Sequence, residues 1–221
     1  MNIIIDSLQK SFTSKSETET VVLRDVTLSI AQGDFVAIQG KSGAGKTTLL
    51  NIIGCLDKQT SGEYYLDTQN VALLTNTERA KLRNKSFGFI MQDYALINDD
   101  TVIDNIILPA IFAKTSISDA KKRAGQLIEQ FGLQHLTFKK VSTLSGGEKQ
   151  RIAIIRALMN NPDCILADEP TGALDTKNSL EIMRIFNDMN KQGKIIVLVT
   201  HDNSIAEMCK RRITISDGKT E

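Results

Sequence analysis

Phe35-Val36-Ala37-Ile38-Gln39-Gly40-Lys41-Ser42-Gly43-Ala44-Gly45-Lys46-Thr47-Thr48 is the stretch that decides the fold. Its first four residues form a short apolar run with the character of a buried strand. Gly40 to Thr47 fit the pattern GxxxxGK[ST], and a helix is predicted from about Lys46 to Cys55. Glycines let backbone N–H groups turn inward into a concave anion nest, and the helix N-terminus adds partial positive charge. Lys46 is placed to reach the β- and γ-phosphates of a nucleotide, and the Thr47 hydroxyl to ligate Mg²⁺. Thr48, next on the helix, is counted with the nucleotide contacts. This motif predicts nucleoside triphosphate binding but not what is done with it.

Outward from that loop, the 221 residues suit one domain or one domain with a subdomain. At 41% hydrophobic and 24% charged, the composition is that of an ordinary globular protein. Lys and Arg number 27 against 26 acidic residues, a net charge of +1, so nothing global points to nucleic acid or an anionic membrane surface. Cys55, Cys164 and Cys209 are far apart and lack metal-ligand spacing, which argues against a disulfide framework or a zinc site. Cys164 is read as a buried core thiol. No signal peptide and no apolar stretch of about 18 residues is read, so the expectation is a soluble, cytoplasmic protein whose membrane role comes through a partner.

Strand character recurs at Ile3–Ile5, Val26–Ile30, residues 86–92, 164–167, 195–199 and 213–215. Thr13 to Thr20 has the composition of a hairpin loop. Residues 101–159 read as mostly helical, with a helix start at Ser118-Asp119 and Leu127, Ile128 and Phe131 on one face. Another helix carries Leu180, Met183 and Phe186, with Ile182, Ile185 and Met189 beside them. Strand–helix alternation predicts an α/β fold with a mostly parallel sheet, interrupted by a helical insertion.

Cys164-Ile165-Leu166-Ala167-Asp168-Glu169 is an apolar strand ending in two carboxylates. Ligands of such sheets sit beyond the carboxyl ends of strands. Asp168 is therefore placed to hold Mg²⁺, and Glu169 to orient and deprotonate an attacking water. Val199-Thr200-His201-Asp202 ends another apolar strand, so His201 can meet the γ-phosphate and that water. Gln92 comes after a further strand-like run, where its amide can reach Mg²⁺ or water. Leu144-Ser145-Gly146-Gly147-Glu148-Lys149-Gln150 precedes a helix bearing Ile152, Ile155 and Met159. Ser145 and Glu148 form a capping-box pattern, which explains the serine structurally. Two glycines are more than a cap needs, and they open a second anion site that lacks its own lysine and acids. A nucleotide held by another subunit resolves that.

Taken together, LSGGEKQ is similar to the signature of ABC-type ATPases, and the order of motifs across the whole chain resembles that family. Walker A lies at 40–47, the glutamine loop at Gln92, the signature at 144–148, Walker B at 164–168 with Glu169, the D-loop at 171–175, and the switch histidine at His201. The resemblance implies a P-loop NTPase fold: an ATP-binding core (1–92 and 161–221) with an N-terminal antiparallel β subdomain, and a helical subdomain (93–160). It implies an ATP-dependent head-to-tail homodimer in which Ser145, Gly146, Gly147 and Asp175 serve the partner's nucleotide. Phe12 stands where the family stacks an aromatic ring, more often Tyr, on adenine. Lys41 and Ala44 replace commoner Walker A residues without removing an essential group.

The phrase Leu166-Ala167-Asp168-Glu169-Pro170-Thr171-Gly172-Ala173-Leu174-Asp175 resembles the macrolide-export, lipoprotein-release and antimicrobial-peptide-resistance group. Membership would make the chain an ATPase peripheral to the inner face of the membrane, driving a separate permease. Ile97, Val102, Ile106 and Ile107 are the candidate contacts with it. A cell-division-type regulatory ATPase, which gates cell-wall hydrolysis without transport, has nearly the same motifs and stays open. A soluble nucleic-acid or ribosome ATPase needs a long insertion or two cassettes, and this sequence has neither, so no nucleic-acid partner is expected. A non-catalytic cassette would lack the base or the switch histidine, and both are present.

Overall fold

The structure is a computed structural model that describes residues 1–13 and 19–221. Most of the expected Thr13–Thr20 hairpin loop lies outside the described residues. The chain opens with β1 (Asn2–Thr13) and β2 (Glu19–Ala31), then β3 (Phe35–Gln39) and α1 (Lys46–Ile53). Two short strands, β4 (Ser61–Leu66) and β5 (Gln69–Asn70), lead to α2 (Asn76–Ser86) and β6 (Phe87–Ile90). The helices α3 (Val102–Phe112), α4 (Ile117–Gln130) and α5 (Gly146–Ala157) come next. The last third alternates: β7 (Cys164–Asp168), α6 (Thr176–Lys191), β8 (Ile195–Val199), α7 (Asn203–Glu207), β9 (Arg211–Ser216) and β10 (Lys219–Thr220).

The strands form one sheet in the order β5-β4-β1-β2-β10-β9-β3-β8-β7-β6. From β9 to β6 every pairing is parallel. The β5-β4-β1-β2 end is antiparallel. This is the α/β fold with the mostly parallel sheet that strand–helix alternation predicts and the N-terminal antiparallel portion that the resemblance implies. The composition of the strands explains the division. β7 and β8 are apolar almost throughout and wholly buried, as strands covered on both faces must be. β1 alternates, with Ile3 and Ile5 buried while Ile4 is exposed.

Alternation also sorts the core into two layers. Val36, Ile38, Leu166 and Val197 pack with Leu49 and Ile52 of α1 on one face. Phe35, Ala37, Ile165 and Ile196 point to the other face, among residues of α3, α5 and α6 such as Ile106, Ile155 and Phe186. Cys164 is buried as expected, and burial pushes its thiol well up.

Three expectations need correction, and one helix comes unannounced. Helix α4 starts earlier than Ser118, because Ser116 is its N-cap: the Asp119 amide donates to the Ser116 hydroxyl at 3.1 Å. Leu180 is exposed on α6, while Ile182, Met183, Phe186 and Met189 form its buried face. Val102, Ile106 and Ile107 are buried in the helical core and are not free for a partner; of the four candidate contacts only Ile97 is exposed. Helix α2 gives no periodic signal in the sequence. Nearly all its residues are polar, yet Thr75 and Glu78 form a full capping box at its start.

Candidate functional site

Strand register builds the site. Ile38 of β3 lies opposite Val199 of β8, and Val199 opposite Asp168 of β7. Ile90 of β6 lies opposite Ala167. The three parallel strands β3, β8 and β7 therefore end in one row, and β6 ends within one residue of it. The segments leaving these strand ends all project over the same edge: the Gly40–Thr47 loop, His201, Glu169 and Gln92.

The loop needs its glycines for space as well as for dihedral freedom. Gly40 has φ +150°, and a Cβ there would lie 2.2 Å from the Ile215 carbonyl oxygen. Gly45 has φ +96°, with a Cβ 2.6 Å from Leu23 Cδ2. Gly45 is also the N-cap of α1, and it supplies no side-chain acceptor. Among the described residues every other α-helix has one: Thr75, Thr101, Ser116, Ser145, Asp175 and Asp202. The first-turn amides of α1 are thus left for an external anion. Lys46 arches over this mouth, donating to the carbonyls of Gly40 at 2.9 Å and Lys41 at 2.8 Å.

Asp168 is buried at the end of β7. Burial pushes its carboxyl up; a hydrogen bond from Thr47 pulls it down, Glu169 pushes it up again, and the Lys46 charge lowers it. A desolvated carboxylate beside a hydroxyl is a hard-oxygen donor pair, which fits Mg²⁺. Glu169 adopts φ +45°, a left-handed conformation costly for a residue with a Cβ. Its amide is fixed by the Val199 carbonyl at 3.0 Å. Its Oε1 lies 2.9 Å from Nδ1 of His201, whose ring is largely exposed. That hydrogen bond, then the Glu169 charge, raises the His201 pKa. Thr200, fully buried, accepts from the Asp202 amide at 3.1 Å and shapes the turn that presents the histidine.

Gln92 is exposed in the turn after β6, closed by the Tyr94 amide on the Met91 carbonyl at 2.9 Å. The second glycine motif is elsewhere. Ser145 caps α5 in a complete capping box: its hydroxyl donates to Glu148 Oε2 at 2.7 Å, and its amide donates to the same oxygen at 2.8 Å. Gly146 and Gly147 lie against Tyr94 and Asn178 rather than against the Gly40–Thr47 loop. Asp175 caps α6, accepting from the amide and the side chain of Asn178, both at 2.8 Å. The Asn178 amide holds its carboxyl below the usual range. Phe12 is 45% exposed, so its ring is no part of the core. Lys10, whose ammonium lies over that ring, is missed by sequence reasoning; the signal is its spacing of two along one strand.

The geometry agrees with what the chain is similar to. The family profile described as ABC transporter matches residues 23–172. A macrolide export ATP-binding/permease protein of Bartonella quintana is 45% identical over 217 residues, covering 98% of this chain and 33% of its own. A pyoverdine export ATP-binding/permease protein of Pseudomonas fluorescens is 46% identical over 216 residues, with the same coverage of 98% and 33%. The chain therefore spans about a third of the length of these curated relatives. A dimeric bacterial ABC transporter cassette superposes with a TM-score of 0.91 at 42% identity, covering 99% of this chain and 96% of its own. A dimeric post-hydrolysis state of that cassette, bound to ADP and Pi, gives 0.91 at 41% identity with the same coverage. This chain belongs to the ABC transporter family.

Proposed function

We propose that this chain binds and hydrolyses ATP as the motor of an ABC exporter, driving a separate membrane permease that handles a peptide, antibiotic or lipoprotein. The observation that carries this reading is the meeting at one sheet edge of the uncapped α1 amides, Lys46, Asp168 and the Glu169–His201 pair. Support also comes from the relatives' names, which join ATP binding to a permease and to export, and from the cassette seen with hydrolysis products.

In this reading the loop amides of Gly40, Lys41, Ser42, Gly43, Ala44 and Gly45, with Lys46, Thr47 and Thr48, bind the triphosphate. Thr47, Asp168 and Gln92 hold Mg²⁺, which supplies charge neutralisation at the phosphates. Glu169 Oε1 accepts the proton of the attacking water, and His201 orients that carboxylate through Nδ1. Phe12 stacks on adenine. Ser145, Gly146, Gly147 and Asp175 of a second copy close over the nucleotide in an ATP-dependent homodimer, an arrangement supported by the dimeric state of the related cassette. Residues 93–160 act as the helical subdomain that carries this signature. No helix among the described residues is long and apolar enough to cross a membrane. In this reading the chain works peripherally at the inner face, against the permease.

Glu169→Gln tests this. It should retain ATP binding, lose turnover by about 10²-fold or more, elute as a dimer with ATP, and co-purify a permease from detergent-solubilised membranes. Turnover at the wild-type rate would sink the base assignment. A clean preparation without a membrane partner, where a control complex survives, would sink the motor role.

A further inference from the structure

We infer that Lys10 is a positioning residue of the nucleotide site: its buried ammonium underlies Phe12 and sets that ring to receive an adenine base on its other face. The inference rests on the adenine-stacking reading of Phe12 proposed above.

Lys10 is 9% exposed, which is unusual for lysine unless it is paired. Two of its three N–H groups have partners on the segment beyond α1: Asp57 Oδ1 at 2.7 Å and the Lys58 carbonyl at 2.8 Å. The ammonium also sits over the Phe12 ring, 4.6 Å from the centroid. It is thus anchored from below while it holds one aromatic face. A cation on that face draws ring density toward itself, so the opposite face better accepts a heteroaromatic base.

The same residues tie the ring to the phosphate loop. The amides of Leu56 and Asp57 fold back on the Asn51 carbonyl of α1, at 2.8 and 3.2 Å. Arg79 grips the Asp57 carbonyl. The strand itself is stitched to this segment by the Thr60 amide on the Gln9 carbonyl at 2.9 Å and the Ser11 amide on Thr60 Oγ1 at 3.0 Å. In the sheet, Lys10 pairs with Leu23, the residue on which Gly45 rests, and Phe12 pairs with Thr20. On β2 the partners Leu23 and Thr20 are three residues apart, about 10 Å along the strand, so the ring stands one short step from the residue that backs the phosphate loop. Lys10 therefore fixes the distance and attitude of the base platform relative to the phosphate nest.

The test compares Kd for Mg–ATP with Kd for Mg–inorganic triphosphate, which has no base, by calorimetry on Lys10→Met, Lys10→Arg and Phe12→Ala. Lys10→Met should weaken ATP by about threefold to tenfold and leave triphosphate unchanged. Lys10→Arg, which keeps a cation, should recover most of the loss. Equal weakening of both ligands by Lys10→Met would mean general loosening of the fold and would overturn the inference, as would ATP binding within twofold of wild type. If Phe12→Ala selectively weakens ATP and Lys10→Met does not, only the role of Lys10 falls. If Phe12→Ala is itself without selective effect, the stacking reading falls and takes this inference with it. Should Lys10→Met fail to fold, Asp57→Ala removes the carboxylate that anchors the ammonium and must show the same ATP-selective loss.

Discussion

Ser145 is asked to do two things, and the structure allows them to be separated. As N-cap of α5 it accepts from the Glu148 amide at 3.4 Å, a long bond, while the Glu148 carboxylate takes the Ser145 hydroxyl and amide at 2.7 and 2.8 Å. Those two bonds hold the Glu148 carboxyl below its ordinary value, the side-chain bond contributing most. Losing the serine hydroxyl removes the weak cap and one of the two strong bonds, which costs about 1 kcal/mol. Removing the Glu148 side chain loses both strong bonds and costs a similar amount, about 1–1.5 kcal/mol. For a domain of this size each kcal/mol lowers Tm by roughly 2–4 °C. Ser145→Ala and Glu148→Ala should therefore melt at nearly the same temperature, a few degrees below wild type. Because the folded carboxyl of Glu148 is depressed, its contribution is present above the ordinary value of 4.5 and fades as pH falls through the folded one. The Tm gap of Glu148→Ala should close accordingly in acid. Steady-state ATPase, assayed well below both midpoints, divides the roles. If the hydroxyl also serves a partner's nucleotide, Ser145→Ala loses at least about tenfold in kcat, and Glu148→Ala less than about threefold. Ser145→Asp sharpens the contrast, because aspartate caps as well as serine but sets a negative charge before the phosphates. It keeps a capping acceptor but cannot donate to the Glu148 carboxylate and repels it, so it should melt no higher than Ser145→Ala and be inactive. Equal losses of activity in Ser145→Ala and Glu148→Ala, or an active Ser145→Asp, would refute the second role and leave a cap alone.

The charges at the sheet edge set two further outcomes. The Asp168 carboxyl is raised above its ordinary 3.8, chiefly by burial, so the folded protein binds that proton more tightly than the unfolded chain and loses stability as pH rises through the window above 3.8. Asp168→Asn should thus raise Tm at neutral pH without nucleotide while abolishing Mg²⁺-dependent turnover; a lower Tm would contradict the burial cost. His201 is raised above 6.5 by its bond to Glu169, and the stability from that contact is full below 6.5 and lost as pH rises through the folded value. In Glu169→Gln the His201 titration, followed by NMR, should move back toward 6.5, and an unchanged midpoint would break the assigned cause.

Much of the site is legible in the sequence because each motif comes directly after an apolar run. Phe35–Ile38, Cys164–Ala167 and Ile195–Val199 read as buried strands, and buried parallel strands carry ligands at their carboxyl ends. Features that depend on a neighbour are not legible in this way. Val102, Ile106 and Ile107 are equally apolar whether they meet a permease or α5, and only packing assigns them to the core. Helix α2 shows no apolar stripe, since Arg79 and Arg83 spend their guanidinium groups on the carbonyls of Asp57 and Cys55 rather than on water. Lys10 reads as a solvated charge in sequence, because its partner Asp57 lies 47 residues away.

The distinction between the two glycine motifs rests on capping. Both put glycines at a helix start, so both expose amides. In α5 the capping box engages the amides of Glu148 and Ser145, not those of Gly146 and Gly147, and a ligand that reaches for the Ser145 hydroxyl must compete with the Glu148 carboxylate. In α1 the cap position is Gly45, which offers no acceptor, and the lysine one residue on folds over the opening. An anion arriving at α1 meets no side-chain cap and competes only with the Gly40 and Lys41 carbonyls for Lys46. One arriving at α5 must share Ser145 with Glu148. In the proposed reading the first motif holds a nucleotide within one chain. The second gains only when a nucleotide already held elsewhere is brought to it. That asymmetry is local and readable from residues 45 and 145, and it supports the proposal that two such chains meet across ATP rather than bind it twice each.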